Sequence, residues 1–188
     1  FCGGISTTLT RALTVLVQTI PSLLKPVQER LLEEISVILA RAPYTPVNFK
    51  LTLPAAQPQV EQNDQTIPLA LKTLGTFDMR GHNLIDFVHD CLVHYLEDDS
   101  PQIRKEAAKT CCKLLVGQGK PPIKGYYGGI VSEVLEKLLI VGITDPDLNI
   151  RYAVLSSLDH RFDHFIALAD NLRSLFIALN DEHFATRE

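Results

Sequence analysis

Three pairs of opposite charge recur at one spacing in this chain. Asp98 and Arg104, Asp145 and Arg151, and Asp181 and Arg187 are each six residues apart. In a reactive site, such a pair could move a proton on the carboxylate and hold an anion on the guanidinium. In a scaffold, the same pair makes charge-assisted, often bidentate, hydrogen bonds. Three equivalent copies favour the scaffold, because catalysis needs one special copy. His160 and His164 stand four apart with Asp163 between them. On a helix they would share a face, but no third ligand stands at a suitable spacing, and a closed zinc site needs four. His89 and His94 are five apart and would point to different helix faces. No Cys-x-x-Cys occurs among Cys2, Cys91, Cys111 and Cys112, which excludes zinc-ribbon and thioredoxin-like chemistry. A serine triad has no nucleophile elbow behind it.

Phosphate-handling motifs are equally absent. No glycine-rich phosphate loop, Asp-Phe-Gly or complete kinase catalytic loop occurs. His160-Arg161-Phe162-Asp163 looks like His-Arg-Asp with an extra Phe, and no Asn follows at the required spacing. Gly117-Gln118-Gly119-Lys120 is followed by Pro121 and no strand precedes it, so it is no P-loop. The expectation is a segment with no catalytic, cofactor-binding or metal-binding residues. The candidate contact surface is a glycine-rich loop, Gly117 to Gly129, which carries Lys120, Lys124, Tyr126 and Tyr127. Tyrosine is frequent at interfaces, and a glycine-rich loop can adapt to a partner. A plain connector with its tyrosines packed on the array edge is the default reading of such a loop.

Bulk properties narrow the partners. The net charge of -4 gives no basic footprint, so nucleic acid is not an expected ligand. The periodic apolar stretches are broken by Glu, Lys or Arg, so no membrane span is expected. Residue 1 is Phe, Met79 is the only methionine, and Phe184 to Glu188 reads as the start of a helix. The expectation is therefore a piece of a larger protein. No secretory leader is visible, and the thiols fit reduced, buried cysteines of a cytosolic protein.

The elements that hold these residues are helical. Leu9, Leu13, Leu16, Val17 and Ile20 follow helical spacing, and Pro21 marks a break. Pro26 suits the first turn of a second helix carrying Val27, Leu31, Leu32, Ile35, Ile38 and Leu39 on its apolar side. Between Pro43 and Thr66, four prolines and a polar run predict a linker or long loop. Helical pattern resumes at Ile67, Ala70, Leu71 and Leu74 and ends at Gly75. It returns at Leu84 through Leu96, with Asn83 as an expected N-cap. Ser100 is the expected N-cap of the next helix, with Pro101 at its first position and Ile103, Ala107, Ala108, Cys111, Leu114 and Leu115 facing inward.

A shift of 47 residues lays Asp98 to Arg104 over Asp145 to Arg151. The same shift matches Leu84 with Val131, Val88 with Leu135, Cys91 with Leu138, Cys111 with Leu158 and Leu115 with Phe162. Two consecutive helices therefore repeat as a unit. A third copy begins at Leu172, Leu175, Phe176 and Leu179, with Asp181 and Arg187 shifted by 36 residues. Helix pairs at this period are the signature of HEAT and armadillo arrays. The expected fold is all-α, a HEAT-repeat α-solenoid of stacked antiparallel helix pairs. Residues 1–42 read as a HEAT-like helix pair, 43–65 as a Pro-rich flexible linker or loop, and 66–188 as HEAT repeats. Those repeats centre near 84–116, 130–162 and 168–188, the last truncated. Each Asp falls in the turn between paired helices and each Arg on the first turn of the second.

Longer stretches resemble one family. Leu69 to Asp78, Glu106 to Cys111 with Leu114-Leu115, and Lys137 to Asp147 with Ile150-Arg151-Tyr152 resemble the amino-terminal HEAT region of the target of rapamycin (TOR) kinase family. Ser157-Leu158-Asp159, Arg161-Phe162-Asp163, Asn171-Leu172 and Phe176 to Asp181 carry it further, as do Ile20-Pro21, Gln28-Glu29 and Leu31-Leu32. The Pro-rich linker and the Gly117 to Gly129 loop depart from the pattern. The resemblance implies a non-catalytic scaffold segment of a serine/threonine kinase that regulates growth in response to nutrients. It further implies companion subunits such as raptor, a TOR dimer partner, and a cytoplasmic location with the parent complex peripheral at the vacuolar or lysosomal membrane. The alternatives are a free-standing HEAT adaptor or transport protein, or an independent enzyme.

Overall fold

The computed structural model describes residues 11, 12, 15, 24–39, 66–76, 82–116 and 124–187, all of them in helices, turns or short connections. No strand occurs among the described residues. The chain divides into two compact units, Phe1–His82 and Asn83–Glu188.

In the first unit, α1 (Lys25–Leu39) and α2 (Thr66–Thr76) pack against each other. Pro26 lies in the first turn of α1, where an N–H would have no partner. Leu32, Ile35 and Leu39 are buried, while Val27 on the expected apolar side is exposed. From α2, Ile67, Ala70, Leu71 and Leu74 are buried. The expectation of HEAT repeats over 66–188 joins this helix to the repeats that follow. The structure instead groups this helix with the first unit, because its partner there is α1. The linker at 43–65 and the helix around Leu9 to Ile20 fall largely outside the described residues.

The second unit holds the repeats. Its first rod begins as α3 (Ile85–Phe87), widens to a π-helical turn (Val88–Leu92) and tightens to a 3-10 turn (Val93–Glu97). The amide of Val93 reaches back five residues to Val88 O, which opens the π turn. Val88, Cys91, Leu92, Tyr95 and Leu96 are all buried along this rod. Asn83 Oδ1 accepts the Ile85 amide at 3.2 Å, so it serves the start of the rod.

The remaining elements are α4 (Pro101–Leu115), α5 (Tyr126–Thr144), α6 (Leu148–Leu155), a 3-10 turn (His160–Phe162), α7 (Asp163–Ile166), α8 (Ala169–Ala178) and α9 (Phe184–Arg187). Pro101 opens α4, but the Ser100 hydroxyl makes no capping bond. Asp98 Oδ1 accepts the Ser100 amide at 2.9 Å instead. At α6, Asp147 caps by accepting the Asn149 amide at 2.8 Å.

The glycine-rich loop is expected to run to Gly129, yet α5 begins at Tyr126, just after Gly125 at φ 69°. Glycine tolerates that left-handed conformation, so it can aim the chain into the helix. The middle repeat is expected to run to Phe162, yet its second helix α6 ends at Leu155. Ser157 Oγ donates to Ala153 O at 2.5 Å, and Asp159 accepts the Arg161 amide at 3.0 Å. Such local side-chain bonds compete with the helix ladder. Phe162 is still fully buried, so the core position survives the change of backbone.

These helices stack as two layers. First helices pack on first helices, from the 85–97 rod to α5 to α8. Second helices pack on second helices, from α4 to α6 to α9. Within a repeat, the rod packs on α4 and α5 on α6. The second unit is thus an all-α solenoid segment, and its core is the seam between the layers.

Candidate functional site

The paired charges lie along the inter-helix turns of the second unit. Asp98, Asp145 and Asp181 each stand at the turn between first and second helix. Each folds its turn with a carboxylate oxygen: Asp98 accepts Ser100 N at 2.9 Å, Asp145 accepts Asp147 N at 2.9 Å and Asp181 accepts His183 N at 2.8 Å.

Each arginine then works in two directions. Arg104 Nη1 donates to Asp98 O at 2.9 Å, within its own turn. Its Nε and Nη2 donate to Asp145 Oδ2 and Oδ1 of the next repeat at 2.8 and 3.1 Å. Arg151 repeats the pattern, with Nη1 on Asp145 O at 2.8 Å and Nε and Nη2 on Asp181 at 2.7 and 3.2 Å. Arg187 Nη1 donates to Asp181 O at 2.7 Å and Glu182 O at 3.2 Å. The carboxylate partner therefore comes from the following repeat, and the arginine's own repeat supplies only carbonyls.

Burial makes these contacts matter. The side chains of Arg151 and Asp181 are 8% and 7% exposed, those of Arg104 and Asp145 12% and 4%. The hydrogen bond from Arg151 holds the Asp181 carboxyl below its ordinary value, helped by the His183 amide. Hydrogen bonding to Asp145 and to Asp181 holds the Arg104 and Arg151 guanidiniums more firmly charged. A carboxylate held ionised by a fork on one side and an amide on the other is a poor proton acceptor. The arrangement joins each turn to the next.

Sequence reasoning missed one further arginine. Arg161 donates Nη1 to Val116 O at 3.0 Å and Lys113 O at 3.3 Å, and Nη2 to Cys112 O at 3.4 Å. It covers the open carbonyls at the end of α4 in the preceding repeat. Asp159 braces it at 2.8 Å, and that pairing lowers the Asp159 carboxyl. The 47-residue shift sets Arg161 against apolar Leu114, and a charge replacing Leu in a repeat was the available signal.

The expected contact residues separate. Tyr127 Oη donates to Asp86 Oδ2 at 3.3 Å, tying α5 to the rod of the preceding repeat. The negative charge of Asp86 pushes the Tyr127 hydroxyl up. Tyr126 is 74% exposed, and Lys124 is exposed beside it. Lys120 lies outside the described residues. His160 and His164 fall in different elements, the 3-10 turn and α7. Among the described residues no three His, Cys, Asp or Glu side chains group as metal ligands, and no helix is long and apolar enough to cross a membrane. Burial pushes the Cys91 and Cys112 thiols up to about 12, and the Cys111 thiol well above its ordinary value.

No protein-family model matches the chain. Comparison with individual proteins does. The whole chain aligns with the serine/threonine-protein kinase tor1 of Schizosaccharomyces pombe at 44% identity over 201 residues. It aligns over its whole length with mTor of Drosophila melanogaster at 37% and with TOR of Arabidopsis thaliana at 34%. The chain spans about 8% of the length of each of these relatives. Alignment of every residue, at this identity, with fungal, insect and plant proteins of one kind places the chain in the TOR serine/threonine-protein kinase family, as one segment of it.

Proposed function

We propose that this segment is a non-catalytic HEAT scaffold of a TOR-type kinase. Its role is complex assembly and the binding of companion subunits such as raptor, or of a TOR dimer partner. The observation that carries the reading is the use of the ionic residues. Arg104, Arg151 and Arg161 all bind neighbouring repeats, so the conspicuous charges serve the array itself. A solenoid acts through surface that its stacking does not use. Exposed Tyr126 and Lys124 at the start of α5 offer such surface, while Tyr127 is engaged by Asp86. The proposal places the segment in the cytoplasm, with the parent complex peripheral at the vacuolar or lysosomal membrane.

The test uses the full-length kinase carrying Tyr126→Ala with Lys124→Ala. Companion-subunit recovery in a pull-down should fall at least threefold, while phosphorylation of a short peptide per kinase molecule stays unchanged. Undiminished recovery removes this edge as a contact. Loss of peptide phosphorylation with normal recovery overturns the scaffold reading.

A further inference from the structure

A column of like charge runs along α4. Lys105, Lys109 and Lys113 stand four residues apart, so they share one side of the helix. Lys109 and Lys113 are exposed and Lys105 is half-buried. On other helices a cation finds a carboxylate one turn away: Arg30 pairs with Glu33 and Glu34, Lys137 with Glu133 and Arg173 with Asp170. Neither Lys105 nor Lys109 makes an ion pair among the described residues, although Glu106 lies three residues before Lys109. Like charges one turn apart repel, so the column works against its own helix. In a chain of net charge -4 it is also a local reversal of sign.

The column borders an apolar strip on the next repeat. The second helices α4 and α6 pack on each other. The 47-residue shift gives Leu148 the register of Pro101, Tyr152 that of Lys105 and Ser156 that of Lys109. Leu148 and Tyr152 are 37% and 50% exposed, so the shared surface carries cations on one helix and apolar side chains on the other. Lys105 stands at the border between them. The Asp147 carboxyl, next to Leu148, is lowered first by the Asn149 hydrogen bonds and further by the charges of Lys105 and Arg104. The ladder of Arg104 and Arg151 uses none of the three lysines.

We propose that this face of the second-helix layer docks an acidic amphipathic peptide segment of a partner protein. Carboxylates of the segment lie over Lys105, Lys109 and Lys113, and its apolar side chains lie over Leu148 and Tyr152. The lysines thereby gain the counter-charge that the column lacks. A nucleic acid fits less well, since the net charge of the chain repels it and Leu148 offers a phosphate no donor. The face lies on second helices, whereas Tyr126 and Lys124 stand at the start of a first helix. The inference therefore stands whether or not that edge binds a companion.

Fluorescence anisotropy on the full-length kinase tests it. The probe is a short labelled peptide of Glu, Leu and Phe, patterned as an amphipathic helix. Its binding should saturate and should weaken as salt is raised. Lys105→Gln with Lys109→Gln should weaken it by about tenfold, and so should Gln in place of each Glu in the peptide. Tyr152→Ala should weaken it by about threefold. The melting temperature of each variant should match the wild type. Carbodiimide coupling gives a second readout, since it should join peptide carboxylates to Lys105 or Lys109 as amides, located by mass spectrometry. Undiminished affinity in the double lysine variant overturns the proposal, as does coupling confined to lysines outside α4. A single-stranded RNA that binds the same residues more tightly than the peptide also overturns it, since the face would then be a polyanion site.

Discussion

At the scale of single residues, the ladder predicts unequal arginines. Arg151 is buried and binds both a carboxylate and a carbonyl. Its replacement by Ala removes the guanidinium donors from the Asp181 carboxylate and from Asp145 O, leaving Asp181 only the His183 amide, which should cost about 1–3 kcal/mol. Arg30 pairs with Glu33 and Glu34 from a side chain that is 72% exposed, and exposed pairs contribute little. Arg30→Ala should shift a urea midpoint far less than Arg151→Ala, and equal shifts would refute the ladder's role. Acid gives a second handle. The Asp181 carboxyl is held below its ordinary value by Arg151. Its stabilising contribution is therefore present above the unfolded value of about 3.9 and is lost as pH falls through the lower folded value. Melting temperature should drop more steeply below about pH 4 in the wild type than in Arg151→Ala, where the main cause of the depression is gone. The charged spacing was legible in the sequence because it recurs. The direction of the bonds was not, since a six-residue interval suits a partner in the same repeat as well as in the next. The partners are 41 and 30 residues away, and only stacking brings them together.

At the scale of elements, most helices were visible as apolar periodicity, and their irregularities were not. A π turn at Val88–Leu92 keeps the inward pattern while changing the backbone, so counting apolar residues passes over it. The early end of α6 arises from side-chain bonds of Ser157 and Asp159, which periodicity cannot register. Close approach was hidden for a related reason. A Cβ on Gly142 of α5 would lie 3.1 Å from Val154 Cγ1 and 3.4 Å from Leu155 Cδ2 of α6. Glycine lowers helix propensity, but here it lets the paired helices meet. Gly142→Val overfills that contact and should destabilise the chain by about 1–3 kcal/mol. A urea melt checks this, and a neutral result would show that α6 can slide away at little cost.

At the scale of the molecule, the second unit is a stack in which each repeat touches its neighbours. Cys91 lies in the rod of the first repeat, and Cys111 and Cys112 lie in α4. All three are buried with thiols pushed upward, so none should react in the native state at pH 8. Alkylation by iodoacetamide, resolved by peptide, should proceed only through opening of the array. Cys91 and Cys111 should then be modified at one common rate. Markedly faster modification of Cys91 would mean that the rod detaches from α4 by itself.

The two-sided grip of each arginine also has a mechanical meaning. A fork anchored on its own turn and on the next joins the turns as a hinge pin joins two leaves. One edge of the array is thereby held at fixed spacing, at the turns, and between the first two repeats the opposite edge is held as well, by Arg161 on the end of α4 and Tyr127 on Asp86. The second unit should then resist bending between its first two repeats, which are held at both edges.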